Sequence, residues 1–298
     1  MRLAILFWFY QDPLLCQNRL RMLRRRNPGL PVYGLYGGPL GEAGRYREAL
    51  DGMLEDFWAF PDDADRAWKW RHGDLVLARW GAERGHQLEW DSVFVAQWDM
   101  VTTAALSSFL PDMVVGDMLL SGVRPVREVE GWWQWVRGPA RREYDAFMAH
   151  VAEVYGAVDD PLCCQFIGMV VPRQFLERYA GISRPELGFL EYKLPVYAQV
   201  FGTPLVEDTC FRPWWPEEPA TSRAKRTATL MHAWRTPVRL PVMLYESWRP
   251  GGRRVFHPYH GIYPHDAASL RELVRHGRHG DERADKGNHR AGHGRDAA

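Results

Sequence analysis

The amino-acid sequence predicts an α/β fold, built as a mixed sheet flanked by helices. Short apolar segments typical of buried strands alternate with amphipathic helical segments over the first hundred residues. Turn signals such as Asn27-Pro28-Gly29 and Gly37-Gly38-Pro39 separate those segments. The 298 residues are 46% apolar, which is enough to bury a large core. These observations exclude general disorder, collagen-like repeats and a coiled coil.

The first half of the chain opens on a strand, a helix and a second strand, an order that predicts a right-handed parallel crossover. Arg2–Tyr10 is nearly all apolar and predicts the first strand, after which Asp12 caps a helix that has Pro13 at its first position. The inward face of that helix is marked by Cys16, Leu20 and Leu23. Further strands are predicted at Val32–Tyr36, Phe57–Phe60 and Ser92–Ala96, and a second helix from Asp62-Asp63 to about Arg84.

The second half of the chain has a looser order of elements. Helices are predicted at Pro139–Tyr155, Pro172–Tyr179 and Leu190–Phe201, a strand at Cys163–Val171, and loops at Trp214–Glu218 and Arg249–Gly252. The tryptophans at positions 132, 133, 135, 214 and 215 are interpreted either as core packing or as sugar-stacking platforms. Residues 275–298 are rich in His, Arg, Gly and Asp, so we expect a disordered tail there.

Composition and missing motifs exclude several classes of protein. The net charge of +1 gives no field that would attract nucleic acid, and the apolar runs are too short for a transmembrane segment. The four cysteines form no CxxC pair, which argues against a disulfide framework or a zinc site and favours a reducing cytoplasm. The P-loop, GxGxxG and GxSxG motifs are missing, which disfavours P-loop proteins, Rossmann dehydrogenases and α/β-hydrolases.

The strongest local signal for chemistry is the segment Gln97-Trp98-Asp99. A buried strand delivers these residues at its carboxyl end, where open α/β sheets bind ligands. A carboxylate at that place can hold Mg²⁺ or Mn²⁺ against a diphosphate, because these ions prefer oxygen ligands. The alternative is that Asp99 only caps a following helix, Met100–Phe109. The pattern alone leaves both interpretations open.

This segment resembles the Asp-x-Asp motif of GT-A-fold, nucleotide-sugar-dependent glycosyltransferases of the family 2 kind, although Gln97 stands where that family usually has an acid. The opening strand–helix–strand is similar to the family's nucleotide-binding half. The resemblance implies a GT-A-like, Rossmann-like domain over residues 1–270, with a nucleotide-binding half at about 1–115 and an acceptor half at about 116–270.

The resemblance also implies roles for individual residues. Glu191 is similar to the general base of inverting members, and His257 to the histidine that completes a metal site with Asp99. The implied nucleotide and substrate contacts are Tyr10, Gln11, Asp12, Arg71, Asp74, Gln97, Trp98 and Gly168. We therefore expect transfer of a sugar from a nucleoside-diphosphate donor to an unidentified acceptor hydroxyl, assisted by Mg²⁺ or Mn²⁺ and catalysed by Asp99 and Glu191.

Alternatives remain open for the residues and for the function. Glu191 and Asp12 could serve as helix caps, and Arg71 could pair with Asp74 three residues on. Rival candidates are Asp208 for the base and His260 for the metal ligand. A nucleotidyltransferase would usually carry a Gly-rich loop after the first strand, which the turn at residues 9–13 lacks. A non-catalytic binding domain stays open because Gln97 brings no charge.

Overall fold

The computed structural model describes residues 1–62, 64–215, 218, 230–233 and 236–264. The chain divides into two compact units, Met1–Gly261 and Ile262–Ala298. The second unit is described only at residues 262–264, so the predicted tail at 275–298 lies outside the described residues. The predicted limits of the domain and of its two halves stay predictions. The following paragraphs concern the first unit.

The strands of this unit alternate with helices along most of the chain. The strands are β1 Leu3–Phe9, β2 Val32–Tyr36, β3 Asp56–Ala59, β4 Ser92–Gln97, β5 Val101–Thr102, β6 Leu119–Pro125, β7 Leu162–Pro172 and β8 Val255–Phe256. The helices are α1 Pro13–Arg26, α2 Ala43–Ala49, α3 Arg66–Arg71, α4 Gly73–Glu83, α5 Arg141–Tyr155, α6 Arg173–Tyr179, α7 Leu190–Phe201 and α8 Leu240–Trp248.

The main sheet has six strands in the order β3-β2-β1-β4-β7-β6. The first four are parallel to one another, whereas β7 runs antiparallel to both β4 and β6. Alternate residues of β1 and β4 enter separate apolar clusters, as Leu6 and Val95 do in one and Phe7 and Phe94 in the other. The predicted α/β class, with a mixed sheet flanked by helices, is confirmed.

The register of the two central strands sets the position of the candidate site. Trp8 of β1 lies opposite Gln97 of β4 in a parallel ladder. The carboxyl ends of both strands therefore meet at one edge of the sheet. The segments that follow them, Tyr10-Gln11-Asp12 and Trp98-Asp99, leave from that same edge.

Two helix predictions are wrong: one helix is divided in two, and the other does not form. The helix predicted from Asp62-Asp63 to Arg84 is two helices, α3 and α4, and Asp65 caps the first by accepting a 2.6 Å hydrogen bond from the Trp68 N–H. Asp63 lies outside the described residues. The alternative helix Met100–Phe109 does not form, because Val101–Thr102 is β5 and pairs antiparallel with β8.

Most of the other predicted elements lie within a few residues of the observed ones. Asp12 accepts a 2.7 Å hydrogen bond from the Leu14 N–H at the start of α1, and Gly202 ends α7 in the left-handed region with φ at +64°. The prediction missed α2, β6 and α8. Among the described helices, none has both the length and the apolar character needed to cross a membrane.

Candidate functional site

Asp99 lies beside two histidines from the carboxyl-terminal part of the unit. Its Oδ1 is 3.4 Å from Nε2 of His257, and its Oδ2 is 3.9 Å from Nε2 of His260. The β5–β8 ladder produces this arrangement, because it places the residues after β8 against the residues before β5. A hydrogen bond of 2.8 Å from the Tyr259 N–H to the Asp99 carbonyl closes the same contact. The cap interpretation of Asp99 is therefore wrong.

The ring of His257 is oriented by a backbone carbonyl. Its Nδ1 lies 2.8 Å from the His232 carbonyl oxygen, so we assign the proton to Nδ1, which donates to that oxygen. In the neutral ring this leaves the lone pair on Nε2, the nitrogen that faces Asp99. His257 is buried, whereas the His260 side chain is 45% exposed.

The charges of this cluster depend on one another. Burial would raise the pKa of Asp99, but the charge of His257 and its hydrogen bond outweigh burial, and the pKa lies below its ordinary value. Burial would lower the pKa of His257, but Asp99 outweighs it and raises that pKa. The pKa of His260 is lowered by burial, with His257 adding to the effect. The carboxylate therefore stays ionised beside its histidine.

The donor set fits a divalent cation only in part. Asp99 and His257 offer one carboxylate and one imidazole Nε2, and Mg²⁺ often uses one or two protein carboxylates together with substrate phosphates. No group of three His, Cys, Asp or Glu side chains suited to a metal ion occurs in the described part of the chain. A cation at Asp99 would thus need oxygens from a bound diphosphate.

Aromatic rings line the edge next to Asp99. The Trp98 ring stacks on His260 at 5.3 Å between centroids and meets Tyr10 edge-on at 5.6 Å. The guanidinium carbon of Arg66 lies over the Tyr10 ring, 5.6 Å from its centroid. Tyr10 and Trp98, both predicted to contact the nucleotide, are therefore neighbours, with Trp98 buried in an apolar cluster and Tyr10 half-buried against it.

Gln97 and Glu191 meet at the backbone of one residue. The Gln97 Nε2 donates to the Phe166 carbonyl at 3.2 Å, and the Phe166 N–H donates to Glu191 Oε1 at 2.9 Å. Glu191 is 8% exposed, and α7 has no side-chain cap at its start. The structure thus joins the predicted base to the carboxyl end of β4 through β7.

Arg71 and Asp74 point in different directions. Arg71 forms an ion pair with Glu143. Asp74 is fully buried, and its Oδ2 forms an ion pair with Lys193 Nζ at 2.7 Å. The alternative that they pair with each other is wrong, because α3 and α4 are separate helices. A nucleotide contact by Asp74 stays a prediction, and it would require opening the Lys193 pair.

The remaining candidates sit in tightly packed surroundings. Gln11 is half-buried at the start of α1, where its carbonyl accepts the Cys16 Sγ–H. A Cβ on Gly168 would lie 2.9 Å from the Met231 methyl group, so packing explains this glycine. The two carboxylate oxygens of Asp208 accept four backbone N–H bonds, from Gly122, Cys210, Phe211 and Arg212. The Asp208 side chain therefore holds the backbone of residues 210–212 in place and ties it to Gly122.

Two of the predicted sugar-stacking tryptophans belong to the core. Trp133 and Trp215 are 2% and 1% exposed and meet edge-on at 5.4 Å. Their rings face other side chains, so the core interpretation is confirmed for this pair.

The sequence interpretation missed Arg19, a buried arginine of α1. Its Nη2 donates to the carbonyls of Tyr259 and Gly261, both at 2.8 Å. The signal was present, since Arg19 lies three residues after Cys16 on the inward face of α1. A charged residue on a buried face indicates a partner that the local pattern does not show.

Comparisons with known proteins find fold likeness only. No protein-family model matches the chain, and no curated protein matches it. Among solved structures, it is similar to the bifunctional glycosyltransferase WbbM in its apo form, with a TM-score of 0.42 and 9% identity over 88% of this chain and 46% of WbbM. It is also similar to a cytidylyltransferase from Leptospira borgpetersenii serovar Hardjo-bovis, with a TM-score of 0.36 and 12% identity over 69% of this chain and 74% of that one. The chain thus spans less than half of WbbM, and its function has to be argued from its own site.

Proposed function

We propose that the chain transfers a sugar from a nucleoside-diphosphate donor to an acceptor hydroxyl. One observation carries the proposal: Asp99, at the carboxyl end of β4, lies 3.4 Å from the Nε2 of a histidine whose other nitrogen is held by a backbone carbonyl. A carboxylate next to an oriented imidazole at this edge can hold a divalent cation against the diphosphate of such a donor. The four cysteines are free thiols, which supports a cytoplasmic location within the same proposal.

The metal part of the proposal rests on Asp99 and His257. A Mg²⁺ or Mn²⁺ ion bound there would neutralise charge that develops on the leaving diphosphate. Asp99 supplies the negative charge, and the His232 carbonyl keeps the His257 ring turned so that Nε2 faces the same place. Gln97 adds no charge, because its side chain is a neutral amide, and its amide nitrogen already donates to the Phe166 carbonyl.

The nucleotide would lie along the edge between β1 and β4. The half-buried Tyr10 would supply an aromatic face for the base, with the buried Trp98 packed behind it, and Asp12 and Gln97 would supply oxygen acceptors for the ribose. Arg66, over the Tyr10 ring, brings a positive charge to the same edge.

Glu191 is the proposed base for an inverting reaction. It would take the proton of the acceptor hydroxyl as the oxygen attacks the anomeric carbon. The Phe166 N–H holds its Oε1, so the carboxylate is fixed beside the middle of β7. Asp208 is a weaker candidate, because both of its oxygens already accept backbone hydrogen bonds.

Binding and product analysis test the proposal. We expect nucleoside diphosphates to bind more tightly with Mn²⁺ than with EDTA, and a donor screen to release a nucleoside diphosphate. The Asp99→Asn variant keeps the shape and loses the charge, so turnover should fall by at least about a hundredfold. Asp145→Asn is the control, because it removes a carboxylate from a surface pair on α5.

Three results would contradict the proposal or redirect it. Normal turnover by Asp99→Asn would remove Asp99 from the reaction. Release of pyrophosphate from a nucleoside triphosphate would favour nucleotidyl transfer instead. Binding that is indifferent to metal, with no turnover of any donor, would favour a non-catalytic binding domain.

A further inference from the structure

A polar cavity lies at the end of the β5–β8 ladder that is farther from Asp99. It measures about 170 Å³, and the lining residues that matter here are Cys210, Arg212, Gly251, Gly252, Arg253 and Arg254. The Thr103 N–H bonds the Arg254 carbonyl at this end of the ladder. None of the described residues that line the cavity belongs to the proposed donor site. The cavity is therefore separate from the proposed donor site.

Three arginines line this cavity, and two of them are held by backbone carbonyls. Arg253 Nη1 donates to the carbonyls of Cys210 and Phe211 at 3.1 and 3.0 Å. Arg254 Nη1 donates to the Glu246 carbonyl in the last turn of α8 at 2.7 Å. Carbonyl dipoles orient these guanidinium groups but bring no net negative charge to them.

The third arginine has no such anchor. The Arg212 backbone N–H is bonded to Asp208, and its side chain is exposed. No hydrogen bond or ion pair of its guanidinium is formed within the described residues. Its charge is close enough to act on Arg253: burial lowers the pKa of Arg253 and Arg212 lowers it further, whereas the charges of Asp208 and Glu246 act in the opposite direction.

The neighbouring carboxylates do not neutralise these arginines. Both carboxylate oxygens of Asp208 accept hydrogen bonds from backbone N–H groups. Glu246 forms an ion pair with Arg249, which is not among the described residues that line the cavity. None of Arg212, Arg253 and Arg254 has an ion pair within the part of the chain that is described. Three guanidinium groups around a cavity outnumber the two nearby carboxylates, Asp208 and Glu246, and an excess of positive charge favours the binding of an anion.

We propose that this cavity is a binding site for a phosphate group, held by Arg212, Arg253 and Arg254. Guanidinium groups match phosphate oxygens with paired N–H donors. The cavity volume of about 170 Å³ is roughly ten times the 15 Å³ that a cavity needs on the same measure to hold one water, so it has room for a group of the size of phosphate. Gly251 and Gly252 add no side chain to the wall, so the opening beside Arg212 stays clear. The proposal is independent of the proposed glycosyl transfer.

Titration of the intact protein with inorganic phosphate tests the site. Calorimetry is run with EDTA, so that no metal can bring phosphate to Asp99. We expect saturable binding that weakens as salt is raised. Arg212→Gln should weaken it by about tenfold, the size of one lost charge-assisted bond. The fold should persist, because the Arg212 side chain holds no described residue.

Three controls decide the outcome. Arg142→Gln removes an equal charge from an exposed position on α5 and should bind phosphate like the parent protein. Asp99→Asn should also bind like the parent protein. Arg212→Lys should recover part of the affinity, because it restores the charge without the paired donors.

The source of the phosphate is read from a second titration. Equal affinity for inorganic phosphate and for a sugar phosphate supports a site for free phosphate. Tighter binding of the sugar phosphate supports a phosphorylated substrate. Absence of saturable binding, equal loss in Arg142→Gln, or loss in Asp99→Asn would each overturn the proposal.

Discussion

Two side chains of the candidate site, His257 and Glu191, are each held in position by a hydrogen bond at one atom, while a second polar atom stays available for chemistry. His257 donates from Nδ1 to the His232 carbonyl, which turns Nε2 toward Asp99. Glu191 accepts the Phe166 N–H at Oε1, which fixes its carboxylate at β7. Backbone partners of this kind cannot rotate away as side chains do, so they keep both groups ready to act.

Variants of Glu191 and of His257 should therefore lose different activities, the first sugar transfer and the second metal-dependent donor binding. Glu191→Gln keeps an oxygen for the Phe166 N–H but cannot take a proton. We expect transfer to fall by about 10²–10⁴-fold while donor binding is unchanged. His257→Ala should weaken metal-dependent donor binding if, as proposed, the imidazole binds the cation. Steady-state rates and nucleotide titrations at several Mn²⁺ concentrations measure the two effects.

His260→Ala is the control for the histidine arm, since His260 lies farther from Asp99 and is half-exposed. Loss of donor binding in Glu191→Gln, with binding retained in His257→Ala, would mean that the two sides of the cleft are exchanged. A larger effect at His260 than at His257 would transfer the ligand role to His260.

Three helices are tied together by a buried polar group. Asp74 of α4 accepts from Lys193 of α7 at 2.7 Å and from the Tyr179 hydroxyl of α6 at 2.5 Å. Lys193 also donates to the Pro185 carbonyl, and neither charged side chain is exposed. A buried ion pair is costly to break, because the remaining charge has no water around it. This pair also sets the position of α7, the helix that carries Glu191.

Lys193→Met should lower the free energy of unfolding by about 3–5 kcal/mol, because it leaves the Asp74 charge unpaired in the core. The double variant Lys193→Met with Asp74→Asn should recover much of that loss, since no buried charge then remains. Urea denaturation of the three proteins gives the values. A double variant no more stable than Lys193→Met would mean that the loss comes from packing and not from charge.

Which elements the sequence could predict depends on where their determinants lie. The ends of α1 and α7 are set by neighbours in sequence, Asp12-Pro13 and Gly202, and both were predicted correctly. The segment after Asp99 was mispredicted in one alternative because its partner, β8, lies near the far end of the chain. β6 was missed because Gly122 and Pro125 are untypical of strands. Lys193 as the partner of Asp74 was equally invisible, since it belongs to another helix.

At the scale of the whole unit, the candidate site joins the amino-terminal and the carboxyl-terminal parts of Met1–Gly261. β5 and β8 pair beside Asp99, and Arg19 of α1 reaches across to the carbonyls of Tyr259 and Gly261. Burial lowers the pKa of Arg19 to about 10, so it stays charged at neutral pH. His257 is thus brought to Asp99 by contacts made far along the chain, which explains why a local pattern predicted the strand but not its partner.

Arg19 should therefore support donor binding without touching the donor. Arg19→Met keeps a long apolar side chain but leaves the Tyr259 and Gly261 carbonyls without their donor, which should cost about 1–3 kcal/mol of stability. Because those carbonyls lie just after His257, metal-dependent nucleotide binding should weaken as well, while Trp98 and Asp99 themselves are unchanged. Arg21→Met is the matched control, since Arg21 is exposed on the same helix and bonds only Gln17 in the described structure. Urea denaturation and nucleotide titration measure both effects, and an Arg19 variant that loses stability but binds nucleotide normally would show that the segment after β8 holds His257 without Arg19.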